Sequence, residues 1–222
     1  MDKPVRRLAG LVLEFWMPRR CLICQKHLEA EPGELCPACR SALSDPAQRE
    51  VRTGVHFRRC LSPLRYEGEL RSSFLRYKFR GHWHYSHTYA RWMWECLREL
   101  EPDLRRFDCV TWTPLSLPRR LRRGYDQAQR LARGVARYSG LPLCPLLEKY
   151  RHTSPQSGTR DAAERSGNVR DVYRLRRGVS VAGKRIILVD DIITTGSTLE
   201  EASRVLREAG AAEICCLTLA HA

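Results

Sequence analysis

No stretch of this chain approaches the roughly 18 uncharged apolar residues that a membrane-spanning helix requires, so nothing in it is expected to cross a bilayer. Lysine is scarce. Arginine supplies most of the 39 basic side chains, and only 25 acids oppose them, leaving a formal net charge of +14. A guanidinium grips phosphate oxygens as a planar fork, so this balance suits an anionic partner, or else a solvated basic surface. Two phosphate-loop signatures are missing, GxxxxGK[ST] and GxGxxG. Their absence excludes ordinary ATPase chemistry and the dinucleotide fingerprint. No internal repeat is visible. A cleavable leader is not expected: Arg6 and Arg7 precede an apolar run, but Glu14 interrupts it and Met17-Pro18-Arg19-Arg20 offers no small-residue cleavage site. Leu8, Leu11, Val12, Phe15 and Trp16 instead mark one face of a short amphipathic helix.

A length of 222 residues, 43% hydrophobic and 29% charged, fits a globular protein with one substantial core and a small appendage. Ten cysteines would suit a secreted disulfide scaffold if they were spread through loops. Four of them instead form CxxC pairs and most others sit within apolar strand or helix patterns, which fits a reducing, cytoplasmic setting.

The paired cysteines come first. Cys21-Leu-Ile-Cys24 and Cys36-Pro-Ala-Cys39 are knuckles of the zinc-ribbon kind, and Pro32-Gly33 between them supports a tight return. Four thiolates fill a tetrahedron, so the expected ion is a structural zinc with no position left for a reacting water. Redox or merely buried cysteines are the alternative. His27 is a candidate substitute ligand or a surface histidine. Residues 41–51 read as a linker or the end of the ribbon.

Leu70, Phe74 and Tyr77 then recur near helical spacing among basic residues, and Tyr66, Tyr77, Phe79 and Trp83 are placed either to stack on bases or to pack in the core. His82, His84 and His87 lack the spacing of a metal-binding helix and read as loop residues. Ala90, Met93, Trp94, Leu97 and Leu100 trace an amphipathic helix that Glu101-Pro102 ends. Phe107 to Pro114 reads as a strand. After it, Arg119, Arg120, Arg122 and Arg123 precede a helix with a buried face of Tyr125, Ala128, Leu131, Ala132 and Val135. An arginine cluster at the carboxyl end of a strand lies where open α/β sheets bind ligands. Residues 150–170 form a long polar loop, expected as a lid or a disordered segment.

The chain centres on residues 184–210, KRIILVDDIITTGSTLEEASRVLREAG. Ile186 to Asp190 is a short apolar run that turns acidic, a buried strand by length and β-branching. Leu199, Ala202, Val205, Leu206 and Ala209 have helical spacing, and Gly210 stands at the stop. Ser197 with Glu200, or Thr198 with Glu201, is expected to form a capping box. Between strand and helix lie Thr194, Thr195, Gly196, Ser197 and Thr198, small hydroxyl residues around one glycine. A helix N-terminus with added hydroxyl donors is a phosphate cradle. The preceding Asp190 and Asp191 would repel that phosphate unless they face ribose hydroxyls or a ligand-borne Mg²⁺. Phosphoribosyl compounds satisfy all of these conditions. The returning segment from Glu213 to Leu219 closes a parallel βαβ unit.

LVDDIITTGST resembles the 5-phosphoribosyl-1-pyrophosphate (PRPP) signature of type I phosphoribosyltransferases. The resemblance implies an α/β fold with a mostly parallel sheet flanked by helices. By it, Asp190 and Asp191 hold ribose and Mg²⁺, residues Thr194 to Thr198 hold the 5′-phosphate, and Thr113, Pro114 and Leu115 form the pyrophosphate loop. The order of CxxC–CxxC, YKFRG, RRGYDQAQRLA and a T-x-x-Q…R-x-x-N loop is similar to that of the ComF family, its GntX branch included. Nearly the whole chain takes part. The residues that match are Cys21, Cys24, Cys36 and Cys39; Lys78; Arg123, Gly124 and Gln127; and Thr153, Gln156, Arg165 and Asn168. Arg119 and Arg120 join them as anion-binding candidates. Asp126 stands where the family usually has Asn and adds a negative charge beside the pyrophosphate loop. Two domains are expected, a helix and zinc ribbon over 1–50 and a phosphoribosyltransferase-like domain over 51–222. The family implies cytoplasmic handling of single-stranded DNA in natural transformation or DNA utilisation. Three readings follow: an enzyme that transfers a phosphoribosyl group to an unknown base or hydrolyses PRPP, a DNA-binding protein with PRPP as ligand, or a PRPP-sensing assembly module whose ribbon docks a competence helicase.

Overall fold

The computed structural model describes residues 19–28, 33–150 and 171–222. The expected N-terminal helix and the loop residues Thr153, Gln156, Arg165 and Asn168 lie outside the described residues.

Chain order gives helix α1 (Pro37–Leu43), strands β1 (Glu50–Arg52), β2 (Arg59–Ser62) and β3 (Leu64–Arg65), then helices α2 (Gly68–Phe79) and α3 (Tyr85–Leu100). Strand β4 (Cys109–Trp112) precedes α4 (Leu117–Arg123) and α5 (Gln127–Ser139). Strands β5 (Leu147–Lys149), β6 (Tyr173–Leu175) and β7 (Arg185–Ile193), helix α6 (Ser197–Glu208) and β8 (Glu213–His221) complete it. The main sheet has the order β1-β2-β8-β7-β4, with β3 alongside the end of β8. Only edge strand β1 runs antiparallel to its neighbour; β2, β8, β7 and β4 are mutually parallel. Strands β5 and β6 form a separate antiparallel pair.

The apolar run predicted as a strand is the centre of this sheet. Ile186, Ile187, Leu188 and Val189 are all fully buried because helices cover both faces. Side chains alternate along β7. Ile187 and Val189 belong to the core built with α2, α3 and α5, whereas Ile186 and Leu188 belong to the core under α6. The same alternation sends Asp190 and Asp191 to opposite faces. Helices α3 and α5 approach closely at Gly134, where an added Cβ would lie 2.3 Å from Ala90 Cβ.

Residues 41–51 are not a linker. Helix α1 runs through Leu43, and Asp45 caps a 3₁₀ turn over Pro46–Gln48 by accepting from Ala47 N. Strand β1 then pairs with β2. Proline and aspartate here start helical turns rather than break structure.

The cysteine knuckle is bound to the larger core. Leu22 and Ile23 are buried in the same cluster as α2 and α3. Ser73 Oγ donates to Leu22 O at 2.6 Å, and Arg76 donates to the carbonyls of Leu22 and Ile23. Gln25 Nε2 donates to the Tyr85 hydroxyl at 3.2 Å.

Candidate functional site

At the carboxyl end of β7, apolar burial gives way to two carboxylates. Asp190 is buried and accepts from Asp191 N at 2.8 Å and from the Thr113 hydroxyl. Burial, followed by the neighbouring charge of Asp191, pushes its pKa up to about 7; the Thr113 hydroxyl, the Asp191 N–H and Lys78 oppose the shift. Asp191 Oδ1 accepts from Ile192 N at 2.7 Å, and its Oδ2 lies 2.8 Å from Lys78 Nζ.

Lys78 is held in place from three sides. Its ammonium sits 5.5 Å above the Phe74 ring. The Tyr77 hydroxyl donates to Gln127 O at 2.9 Å, and Gln127 Nε2 donates to Lys78 O at 3.4 Å. Arg123 Nη1 donates to Gln127 Oε1 at 2.9 Å. The end of α2, the start of α5 and the last residue of α4 are thereby tied together beside Asp191. Burial lowers the Arg123 pKa, and the Asp191 charge counters it.

The hydroxyl loop follows at once. Arg52 Nη1 donates to Thr194 O at 2.6 Å, tying the loop to β1. Thr195 Oγ1 and Ser197 Oγ are 2.8 Å apart, and Gly196 takes the left-handed conformation with φ 81°. The expected capping boxes do not form. Gly196 is the N-cap of α6 and has no side chain to cap that end, while Thr195 Oγ1 accepts from Ser197 N at 3.4 Å. Glu200 instead accepts from Val55 N at 2.8 Å and from His56 N and Nδ1 at 3.1 Å each. Glu201 binds Arg204 and accepts from Asp171 N at 2.7 Å. Glu200 is drawn to a distant segment, and Glu201 to Asp171 N and to Arg204 of its own helix. Neither closes a capping box, so first-turn N–H groups remain for an anion.

On the neighbouring strand, Thr113 N donates to Val189 O at 3.0 Å, which places the Thr113 hydroxyl against Asp190. Asp126 proves to be a brace. It is buried, its Oδ2 accepts from Leu115 N at 2.9 Å, and its Oδ1 accepts from Gln129 N at 3.1 Å as the N-cap of α5. Both oxygens are consumed in shaping the Thr113–Leu115 loop, while burial raises the pKa.

Beside this loop lies a cleft of ≈ 470 Å³, lined in part by Trp112, Pro114, Arg120, Lys149 and Arg176. Arg119 and Arg120 lie on α4, a helix without a buried residue. Lys149 was not foreseen. Its ammonium lies 5.3 Å above the Tyr173 ring; burial lowers its pKa, Arg119 lowers it further and Asp190 opposes the drop. The only sequence signal was a lysine at the end of the last apolar residues before the long polar loop.

The four paired cysteines converge, all sulfurs within 4.8 Å of one another, with Cys24 and Cys36 at 3.7 Å. A sulfur tetrahedron about a metal with bonds of about 2.3 Å has edges of about 3.8 Å, so this donor set fits a divalent ion. His27 is exposed and bridges to Arg20 outside the cluster. His87 pairs with the Tyr138 hydroxyl at 3.1 Å, and His82 and His84 pack against Tyr85, the latter edge-on. Among the described residues these histidines form no metal-binding group. No helix there is long and apolar enough to cross a membrane.

The model of the phosphoribosyl transferase domain matches residues 121–222. Competence protein F of Haemophilus influenzae is 28% identical, over 91% of this chain and 97% of its own. Competence protein ComFC of Bacillus subtilis is 30% identical, over 90% of this chain and 82% of its own. DNA utilization protein YhgH of Salmonella typhimurium is 26% identical over 89% and 88%. Among solved structures, the allosteric regulatory enzyme of purine biosynthesis aligns with 60% of this chain and 25% of its own at 29% identity and a TM-score of 0.40.

Proposed function

Because the chain belongs to the ComF family, we propose that it binds PRPP, or a related ribose 5-phosphate ligand, with Mg²⁺ and serves the handling of single-stranded DNA in natural transformation or DNA utilisation. One observation carries the ligand reading. Two carboxylates at the end of the central strand run straight into a glycine-hydroxyl loop and a helix start whose N-cap is a glycine. In this reading Asp190 and Asp191 take the ribose hydroxyls, and Thr194, Thr195, Gly196, Ser197 and Thr198 take the 5′-phosphate through backbone N–H and hydroxyl donors. Thr113, Pro114 and Leu115 receive the pyrophosphate, with Arg119, Arg120 and Arg123 along its edge and buried Gln127 positioning Arg123. Thr153, Gln156, Arg165 and Asn168 are assigned to the lid that covers it.

The carboxylates also fit a hard cation. Burial, then the neighbouring Asp191 charge, raises the Asp190 pKa, so a bound cation would offset a cost that Lys78 beside Asp191 offsets only in part. Mg²⁺ would be held by ligand oxygens with Asp190 and Asp191 and would neutralise phosphate charge. The four cysteines are assigned to a structural zinc, because the ligand set is complete with sulfur.

A second reading, turnover of PRPP, rests on Asp191 beside Lys78. That carboxylate would stabilise positive charge developing on the ribose carbon, while Arg123 would stabilise departing pyrophosphate. The deciding measurement is calorimetric titration of the purified chain with PRPP and Mg²⁺, alongside pyrophosphate release with and without bases or DNA. Mg²⁺-dependent binding lost in Asp190→Asn and Asp191→Asn is expected. Binding that survives both changes overturns the ligand reading, and pyrophosphate release selects the enzyme.

A further inference from the structure

We infer that Phe79, Trp83, Tyr125, Arg123 and Arg130 form a stacking track for single-stranded nucleic acid. The inference rests on the proposed DNA role for the identity of the polymer; the track itself comes from the geometry. Phe79 and Trp83 are large aromatic side chains left 59% and 52% exposed. They flank the turn at Gly81, whose φ of 73° ends the run of α2. Tyr77, two residues before Phe79, is by contrast fully buried, so the helix divides its aromatics between core and surface.

Arginines join the exposed rings into one surface. The Arg123 guanidinium lies 4.9 Å above the Phe79 ring. Arg130 lies 4.8 Å above Trp83 and 5.4 Å above Tyr125. A groove of ≈ 320 Å³ bounded by Arg120, Tyr125, Arg130 and Arg133 continues the surface.

Among the described residues, carboxylate pairing neutralises several arginines elsewhere in the molecule and none of those on this face. At the opposite end of the sheet, Arg58 and Arg106 are both paired with Glu101 and Glu213. Arg204 is paired with Asp171, Glu201 and Glu208. No ion pair with a carboxylate among the described residues engages Arg80, Arg120, Arg122, Arg123, Arg130 or Arg133. Unpaired guanidinium groups beside flat exposed rings are suited to phosphates and to bases at once. A duplex hides its base faces, so the rings favour a single strand. An acidic peptide would use the arginines and leave the rings idle. Arg123 also touches Gln127, which holds Lys78 beside Asp191, so the track borders the ligand cleft.

The test is fluorescence anisotropy of the metal-loaded full chain with labelled oligo(dT) and with an abasic strand of equal length, over a salt series. Phe79→Ala and Trp83→Ala should each weaken oligo(dT) binding on the order of ten-fold and leave abasic binding and the salt slope unchanged. Trp83→Phe should retain affinity, and Arg130→Gln should flatten the salt slope by about one phosphate contact. Thermal melts of the exposed-ring variants should match the parent. Strong oligo(dT) binding that ignores both ring changes overturns the track and leaves the DNA role standing. No binding even at low salt overturns both, while Mg²⁺-dependent PRPP binding reports separately on the cleft. Displacement of oligo(dT) by poly-glutamate as effectively as by unlabelled oligo(dT) overturns the track in favour of an acidic protein.

Discussion

Lys78 Nζ and Asp191 Oδ2 stand 2.8 Å apart, joining the last turn of α2 to the end of the central strand. Both side chains are mostly shielded, so the pair is less screened than a surface salt bridge. Lys78→Met leaves Asp191 beside Asp190 without its cation. A destabilisation of about 1–3 kcal/mol is expected from urea unfolding. An unchanged midpoint would show that the pair contributes nothing.

Asp190 gives a pH signature. Its pKa in the native state is pushed up to about 7, above the ordinary carboxylate value of about 3.9 that the unfolded chain has. The native state therefore holds this proton more tightly, and stability falls as pH rises from about 4 to about 7, then levels off. The difference in unfolding free energy between parent and Asp190→Asn should carry this slope. Parallel pH curves for the two proteins would rule the assignment out.

Asp126 uses both carboxylate oxygens, one for Leu115 N and one for Gln129 N. Asp126→Asn keeps a single acceptor and should cost about 1 kcal/mol; Asp126→Ala loses both bonds and should cost about 2 kcal/mol or more. Thermal unfolding of the two variants distinguishes these outcomes.

Gly196 has φ 81°, yet the nearest atom to an added Cβ would be Ile193 Cδ1 at 3.7 Å. Space is available; backbone conformation is the constraint. Gly196→Ala should cost about 1 kcal/mol of stability. A loss of PRPP affinity of at least about ten-fold is expected from distortion of the N–H cradle, measured by calorimetry. Full affinity would remove this loop from the phosphate site.

The cysteine cluster and the main core share Leu22 and Ile23. Chelation or Cys36→Ser should lower the melting temperature by roughly 10 °C in a single transition. Two separate transitions would show that the module folds independently.

Much of this fold was legible in the primary structure. The β-branched run at Ile186, the helical spacing after Leu199 and the apolar return after Glu213 correspond to β7, α6 and β8. Local pattern sufficed because each element buries what its period dictates. The capping box failed for a non-local reason: Glu200 and Glu201 find partners at His56, Asp171 and Arg204, two of them far away in the chain. The linker reading of residues 41–51 failed because Asp and Pro start turns as readily as they mark linkers.

The sequence by itself determined the central strand, its terminal acid pair, the hydroxyl loop and the two cysteine knuckles, since each is a contiguous pattern with its own physical period or ligand spacing. Only the tertiary structure decided which neighbours those groups meet. It set Lys78 against Asp191, turned Asp126 into a brace and half-buried Lys149 beside Tyr173. It also left Phe79 and Trp83 at the surface beneath arginines while burying Tyr77. Spacing along a chain reports which residues share a face; burial and electrostatics depend on what packs against that face.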